Sequence, residues 1–287
     1  MTDAPEVRGF FDEQTNTITY LVWDPASRQA AVIDPVLDYD PAAGTVDTSS
    51  AQRVLDAAEE QGLAITHVLE THAHADHLSA APLFKARTGA KIGIGARIRE
   101  VQRVFRPMFC ADDLKVDGGD FDLLLSDGDR TSLGELEIEV IETPGHTADH
   151  ICYYLPKSHV AFVADTLFAM GCGRLLERPA PVMFHSLTKL VALPASTALY
   201  CGHEYTLANA RFALTIDPTN SALKERAAKV EALRAKDKPT LPTTLAEELS
   251  TNPFIRWHDP AIRKNLGMEN AGDAEVFAEI RKRKDNF

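Results

Sequence analysis

Four side chains able to hold a metal ion fall within six consecutive positions of this chain, in the run Thr71-His72-Ala73-His74-Ala75-Asp76-His77. Imidazole nitrogen and carboxylate oxygen together suit zinc, iron or manganese. The chain has 287 residues and only ten histidines, so composition does not account for the cluster. His72 and His74 are two apart and can point the same way, while Asp76 and His77 turn toward the next helix and can serve a second ion.

Three more ligand-type side chains follow. His146 stands in Thr143-Pro144-Gly145-His146-Thr147, Asp165 follows the apolar run HVAFVA, and His203 ends LYCGH, at intervals of about 70, 20 and 40 residues along the chain. Seven such side chains are too many for one tetrahedral zinc and match two ions sharing a bridging carboxylate. The natural division puts His72, His74 and His146 on one ion and Asp76, His77 and His203 on the other, with Asp165 between them. Asp76 and Asp165 are the expected catalytic carboxylates. Two divalent ions about 3.5 to 4 Å apart hold a water between them and lower its pKa toward 7, which predicts hydrolysis. A purely structural zinc site would favour cysteine ligands, and no thiolate set is present. His67, His150, His159, His185 and His258 read as structural, and Cys172 and Cys201, which border the site segments, read as buried spectators.

The ligands need strands to carry them. ITYLVW (18–23), AAVID (30–34) and ITHVLE (65–70) read as strands, and the histidine cluster sits where the last of these runs into a loop. Residues 38–50 read as a polar connection, with Ser50 capping a helix through VLDAAEEQ. Helices are expected at 82–88 and over ARIREVQRVF, broken by Pro107, with strands at 90–95, 121–125, 135–142 and around 152–164. A tight turn at Gly171-Cys172-Gly173-Arg174, a helix from about Pro181 to Leu193 and a strand at 199–203 complete the series. After His203 the chain turns Ala, Leu, Lys, Glu and Arg rich and reads as helices. The expected organisation is a catalytic domain over 1–205 and a helical domain over 206–287.

A net charge of −12 argues against a general nucleic-acid or membrane-surface binder. The N-terminus lacks the blocks of a signal peptide, no apolar run reaches the length of a spanning helix, and the four cysteines are scattered. A cytoplasmic protein, a monomer or weak homodimer, is expected.

THAHADH, TPGHT, Asp165 and His203 resemble the metallo-beta-lactamase superfamily. The resemblance implies an α/β fold, the αββα sandwich, with metals at one edge of its two sheets and here a C-terminal α-helical domain. DTLFAMGCGR (165–174), CGHEYTLANARFALTIDPTN (201–220), TNPFIR (251–256) and RKRKDNF (281–287) resemble glyoxalase II, the hydroxyacylglutathione hydrolases. That likeness implies a thioesterase acting on S-D-lactoylglutathione or related acyl-glutathiones with two divalent ions (Zn, Fe or Mn). It also implies a glutathione site at Arg174, Tyr205, Arg281 and Lys284. A basic cluster in an acidic protein suits a ligand with two carboxylates and one ammonium. Leu176 stands where that family has an aromatic residue, and the ligand loop continues LSAAP. The first 130 residues look more like persulfide dioxygenases, which implies the alternative of one Fe(II) on His72, His146 and Asp165. The hydrolase reading is favoured because His203 lies in the stretch that matches glyoxalase II best.

Overall fold

The structure, a computed structural model, describes residues 4–287, so Met1, Thr2 and Asp3 of the N-terminal segment lie outside it. The described residues gather into two compact units, 4–142 with 148–158, and 143–147 with 159–287.

The first unit begins with an antiparallel meander, β1 (Glu6–Phe11), β2 (Ile18–Trp23) and β3 (Gln29–Ile33). Every residue of β2 is buried, as expected of a branched and aromatic run covered on both faces. β4 (Val36–Asp40) and β5 (Thr45–Asp47) form a hairpin, followed by α1 (Ser49–Glu60), β6 (Ala64–Leu69), the short β7 (Leu78–Ser79), α2 (Ala81–Thr88), β8 (Lys91–Gly95), α3 (Ile98–Met108) and β9 (Leu123–Leu125). β3, β6, β8 and β9 run parallel, which requires crossover connections, and α1, α2 and α3 supply them. The resulting sheet has the order β1-β2-β3-β6-β8-β9. Ala51, Val54, Ala57, Ala81 and Phe84 of the two covering helices close over Leu21, Val32, Val68 and Ile92 of the sheet. β10 (Arg130–Leu133), β11 (Leu136–Glu142) and β12 (Ile151–Leu155) form an antiparallel set, and on β11 the buried Leu136, Ile138 and Val140 alternate with less buried glutamates.

Two expectations fail here. Residues 38–50 are not a plain connection: Tyr39 faces Val46 and Asp40 faces Thr45 across the β4–β5 hairpin. Leu37 and Tyr39 alternate with Asp38 and Asp40, a two-residue period, and Asp40 Oδ1 accepts from Ala42 N at 2.8 Å to shape the turn. Ser50 is not the cap of α1 either. It lies inside the first turn, where Asp38 accepts from Ser50 N at 2.8 Å and Asp47 accepts from Ser49 N at 2.7 Å. Two carboxylates thus take the open amides that a capping hydroxyl was expected to take.

In the second unit β13 (Val160–Ala164) pairs in parallel with β16 (Ala198–Cys201), and β14 (Leu167–Phe168) and β15 (Gly171–Cys172) form a tight hairpin between them in sequence. α4 (Ala180–Val191) precedes β16, and α5 (Thr206–Ile216), α6 (Ser221–Arg234), β17 (Thr243–Thr244), α7 (Leu245–Thr251), α8 (Pro260–Leu266) and α9 (Asp273–Asp285) follow it. Asp217 and Pro218 interrupt the helices as expected, and Asn220 caps α6 by accepting from Leu223 N at 3.1 Å. The TNPFIR segment has a physical reason. The buried Asn252 amide donates to the carbonyls of Phe168 at 3.1 Å and Gly171 at 3.0 Å and to Glu248 at 3.0 Å, so one side chain ties the helical segment to the β14–β15 hairpin.

Candidate metal centre

Each ligand segment sits just past the carboxyl end of a strand. In the first unit Asp34 follows β3 and Glu70 to His77 follow β6, two adjacent parallel strands, so their ends lie side by side. In the second, Asp165 follows β13 and His203 follows β16, again parallel neighbours. Asp34 at φ 48° and Ala164 at φ 38° turn the chain out of its strand in left-handed backbone. For L residues that conformation costs about 1–2 kcal/mol, and it is found where a site demands it.

In the first unit Thr71 N donates to Asp34 Oδ1 at 2.7 Å and Thr71 Oγ1 to Asp34 Oδ2 at 2.8 Å. His74 Nε2 lies 3.2 Å from both Asp34 Oδ1 and Glu70 Oε2. Burial would lower the pKa of His74, but the two carboxylates outweigh it and hold the imidazole well above its usual range. Burial would raise Asp34, and His74 with the Thr71 bonds brings it below the carboxylate norm. The spacing of His72 and His74 did not reveal this grouping of His74 with Asp34 and Glu70. Its only sequence signal is a carboxylate ending each of two buried strands. His72 packs against His74 with ring centroids 4.2 Å apart and stacks on the buried His150 at 4.8 Å. Asp149 Oδ2 accepts from Ala73 N at 3.0 Å and pins the loop.

His74, Asp76 and His77 each offer a ligand atom within 4.8 Å of the others. Burial, and then the charge of His74, push the pKa of His77 down to about 4, so its imidazole is neutral at pH 7. Its Nδ1 is 2.9 Å from Leu78 O, and its Nε2 is buried with no hydrogen-bond partner among the described residues. A neutral ring with one nitrogen held by a carbonyl and the other presented inward fits a divalent cation. His74 fits in the complementary way, because a ring that gives Nε2–H to carboxylates keeps Nδ1 for a cation.

The second unit brings His146, Asp165 and His203 together. His146 Nε2 is 3.5 Å and His203 Nε2 3.4 Å from the same oxygen, Asp165 Oδ2. His146 Nδ1 is 2.9 Å from the carbonyl of Arg174, a contact that sets the tautomer and turns Nε2 toward the carboxylate. Glycine is required on both sides of Asp165. A Cβ at Gly202 would stand 2.5 Å from Asp165 Oδ1, and one at Gly173 would stand 1.9 Å from the Asp165 carbonyl oxygen. Cys172 and Cys201 are buried beside this set, with burial pushing Cys172 up to about 11 and Cys201 well above its usual value, so neither is a thiolate at pH 7.

Of the four residues expected around glutathione, Arg174 and Tyr205 are exposed and Lys284 is half-buried. Tyr205 stacks on His203 with centroids 4.7 Å apart and planes 8° from parallel. Lys284 Nζ lies 5.0 Å from the Phe212 ring centroid, and partial burial with the nearby charges of Arg281 and Arg174 lowers its pKa to about 8. Arg281 is placed differently. It is 3% exposed and spends its donors inside the protein, on the Cys172 carbonyl at 2.9 Å and on Asp285 at 2.7 Å.

Histidine and aspartate loops at the ends of parallel strands, in sheets covered by helices, define the metallo-beta-lactamase class. Residues 14–203 match the metallo-beta-lactamase superfamily model, and residues 204–287 match the model of the hydroxyacylglutathione hydrolase C-terminus. The chain is 57% identical to a hydroxyacylglutathione hydrolase of Mesorhizobium japonicum, over 99% of this chain and 100% of that one. It is 54% identical to a hydroxyacylglutathione hydrolase of Chelativorans sp., over 84% and 89% of the two chains. The crystal structure of ETHE1 from Myxococcus xanthus is similar at 27% identity with a TM-score of 0.64, covering 96% of this chain and 90% of that one. The chain therefore belongs to the hydroxyacylglutathione hydrolase family of the metallo-beta-lactamase superfamily. The αββα sandwich with a C-terminal helical region is thereby borne out, and the His and Asp clusters in this fold imply divalent-metal binding. The dioxygenase alternative is not favoured, since both relatives and the C-terminal model carry the hydrolase description. Among the described residues no helix is long and apolar enough to cross a membrane.

Proposed function

We propose that this chain is a metal-dependent thioesterase that hydrolyses S-D-lactoylglutathione or related acyl-glutathiones in the cytoplasm. The observation that carries the reading is the cationic group of Arg174, Arg281 and Lys284, in which mutual charge helps lower Lys284 to about 8. Two arginines that depress a neighbouring lysine in a chain of net charge −12 call for an anionic ligand, and glutathione brings two carboxylates. Arg174 and Lys284 would take those carboxylates, and the exposed Tyr205 ring would lie along the peptide. Arg281 would act from behind, by holding the Gly171–Gly173 turn.

His72, His74, Asp76, His77, His146, Asp165 and His203 would hold two divalent cations, zinc, iron or manganese. When bound, such ions supply Lewis acidity that brings the pKa of water toward 7 and stabilises charge on an acyl oxygen. The protein's own part is to orient its imidazoles. The Leu78 and Arg174 carbonyls, at 2.9 Å from His77 Nδ1 and His146 Nδ1, do this, and Asp165 is confined between Gly173 and Gly202. Residues 1–205 would carry the chemistry and 206–287 most of the glutathione contacts.

The test is a parallel assay of one metal-quantified preparation for lactoylglutathione hydrolysis and for oxygen uptake with glutathione persulfide. Hydrolysis without uptake is expected. Uptake without hydrolysis would overturn the reading.

A further inference from the structure

The β14–β15 hairpin is too small to hold its own shape. It has two rungs, Leu167 opposite Cys172 and Phe168 opposite Gly171, joined by Ala169 and Met170. A two-residue turn favours glycine or asparagine, yet Met170 stands in left-handed backbone at φ 54°, which costs an L residue about 1–2 kcal/mol. Side chains from the helical residues supply what the turn lacks. Asn252 donates to the carbonyls of Phe168 and Gly171, Asn209 to that of Ala169 at 3.1 Å, and Arg281 to that of Cys172. Glu248 Oε2 accepts from Met170 N at 2.8 Å. Each residue from 168 to 172 is thus gripped through its backbone, and in this set Glu248 is the acceptor among donors.

Glu248 is fully buried, and its hydrogen-bond partners all offer it a proton. Oε1 accepts from Arg226 Nη2 at 2.6 Å and from Thr243 Oγ1 at 2.7 Å, and Oε2 accepts from Asn252 Nδ2 at 3.0 Å as well as from Met170 N. A glutamine does not fit in its place, because either flip sets an NH2 against the Arg226 guanidinium or against Met170 N. Arg226 is itself fixed, donating to Thr251 Oγ1 at 2.6 Å. The carboxylate therefore has one position.

Asp165 lies two residues before the hairpin and Gly173 directly after it, so close to the Asp165 carbonyl that a Cβ at Gly173 would stand 1.9 Å from it. At the other end of the hairpin the Phe168 ring meets His203 edge-on at 5.9 Å and Tyr205 at 5.6 Å. A shifted hairpin would move Asp165 and the ring packed on His203 and Tyr205 together. We propose that Glu248, held by Arg226, is a positioning residue for the metal centre: through Met170 it fixes the hairpin in the conformation that sets Asp165 between His146 and His203. This assignment rests on the reading above in which those three residues hold a cation for thioester hydrolysis.

The experiment compares the metal-loaded wild type with Glu248→Gln and with two double variants, Arg226→Met with Glu248→Gln and Arg226→Met with Glu248→Leu. Neither double variant keeps a lone buried charge, and loss of both partners of a buried ion pair is commonly tolerated. Without Arg226, a glutamine at 248 can turn its oxygen to Met170 N and its NH2 to Thr243 Oγ1, whereas leucine offers no acceptor. Metal affinity by chelator competition and kcat for lactoylglutathione are measured at a temperature where near-ultraviolet circular dichroism shows each variant folded. Glu248→Gln alone and the leucine double variant should each lose about tenfold or more in both quantities, the usual cost of releasing a group that orients a ligand. The glutamine double variant should stay close to wild type. If Glu248→Gln alone does not fold, the two double variants decide. Equal metal affinity and kcat in the two double variants would overturn the proposal and leave Glu248 a part of the fold only. The expected pattern of metal affinities in a protein that does not hydrolyse lactoylglutathione would keep the positioning role and remove the thioesterase reading.

Discussion

Arg281 Nη1 donates to the carbonyl oxygen of Cys172 at 2.9 Å, linking positions 109 residues apart. The guanidinium also pairs with Asp285 and stands 5.3 Å from the Phe254 ring centroid. The last helix thereby holds the Gly171–Gly173 turn, next to Arg174, whose carbonyl sets the ring of His146. Arg281, which the resemblance places at the glutathione site, spends these donors within the protein.

Removing that brace should cost stability as well as affinity. Arg281→Ala leaves a buried carbonyl unpaired, a loss of about 1.5–3 kcal/mol, which urea unfolding will measure. Arg281→Lys should recover only part, because an ammonium cannot bond the turn, pair Asp285 and lie on Phe254 at once. A variant that unfolds like wild type while KM alone rises would show direct ligand contact instead.

Gly202→Ala should abolish most activity while leaving the fold intact. The added Cβ would stand 2.5 Å from Asp165 Oδ1, so the carboxylate must move. Displacing such a group by about 1 Å costs on the order of 100-fold in kcat/KM. Steady-state kinetics and metal content per chain check this together, and near-normal values for both would refute the confinement of Asp165.

Substrate affinity should weaken in alkali. Lys284 has a pKa of about 8 against an ordinary 10.5, chiefly from burial, so it loses its charge as pH rises through 8. KM for lactoylglutathione should rise above that pH, and in Lys284→Arg, which stays charged, it should stay flat. The stability effect has the opposite sense. A folded value below the unfolded one means that the unfolded chain binds more protons between about 8 and 10.5, so the Lys284 contribution to stability improves across that window.

Asp34 touches Thr71 twice and His74 once, without being one of the seven residues expected to hold metal. Asp34→Asn should weaken metal binding 10- to 100-fold, the usual cost of losing a group that orients a ligand. Chelator competition measures this directly. Unchanged affinity would mean that the His74 ring is held in place without the Asp34 charge.

Much of this arrangement was legible in the residues. Apolar runs of branched side chains marked β2, β3, β6, β12 and β13 to within a residue or two, because a strand buried on both faces leaves a short continuous signature. The β4–β5 hairpin was not legible. Its alternation lasts only from Leu37 to Asp40, and its polar faces read as loop until Leu37 finds Leu78 across a gap of 41 positions, 78 − 37.

Local chemistry pointed to the candidate metal-binding side chains. Dense histidine and aspartate in short loops is a property of the residues themselves, and it announces a metal site whatever the fold. Tertiary structure alone decided which groups stand behind them: Asp34 and Glu70 on His74, the Arg174 carbonyl on His146, and Arg281 on the Cys172 turn. Those partners are ordinary carboxylates, carbonyls and a guanidinium with no local pattern. Burial and long-range hydrogen bonding, which depend on how strands align and helices return, give them their roles.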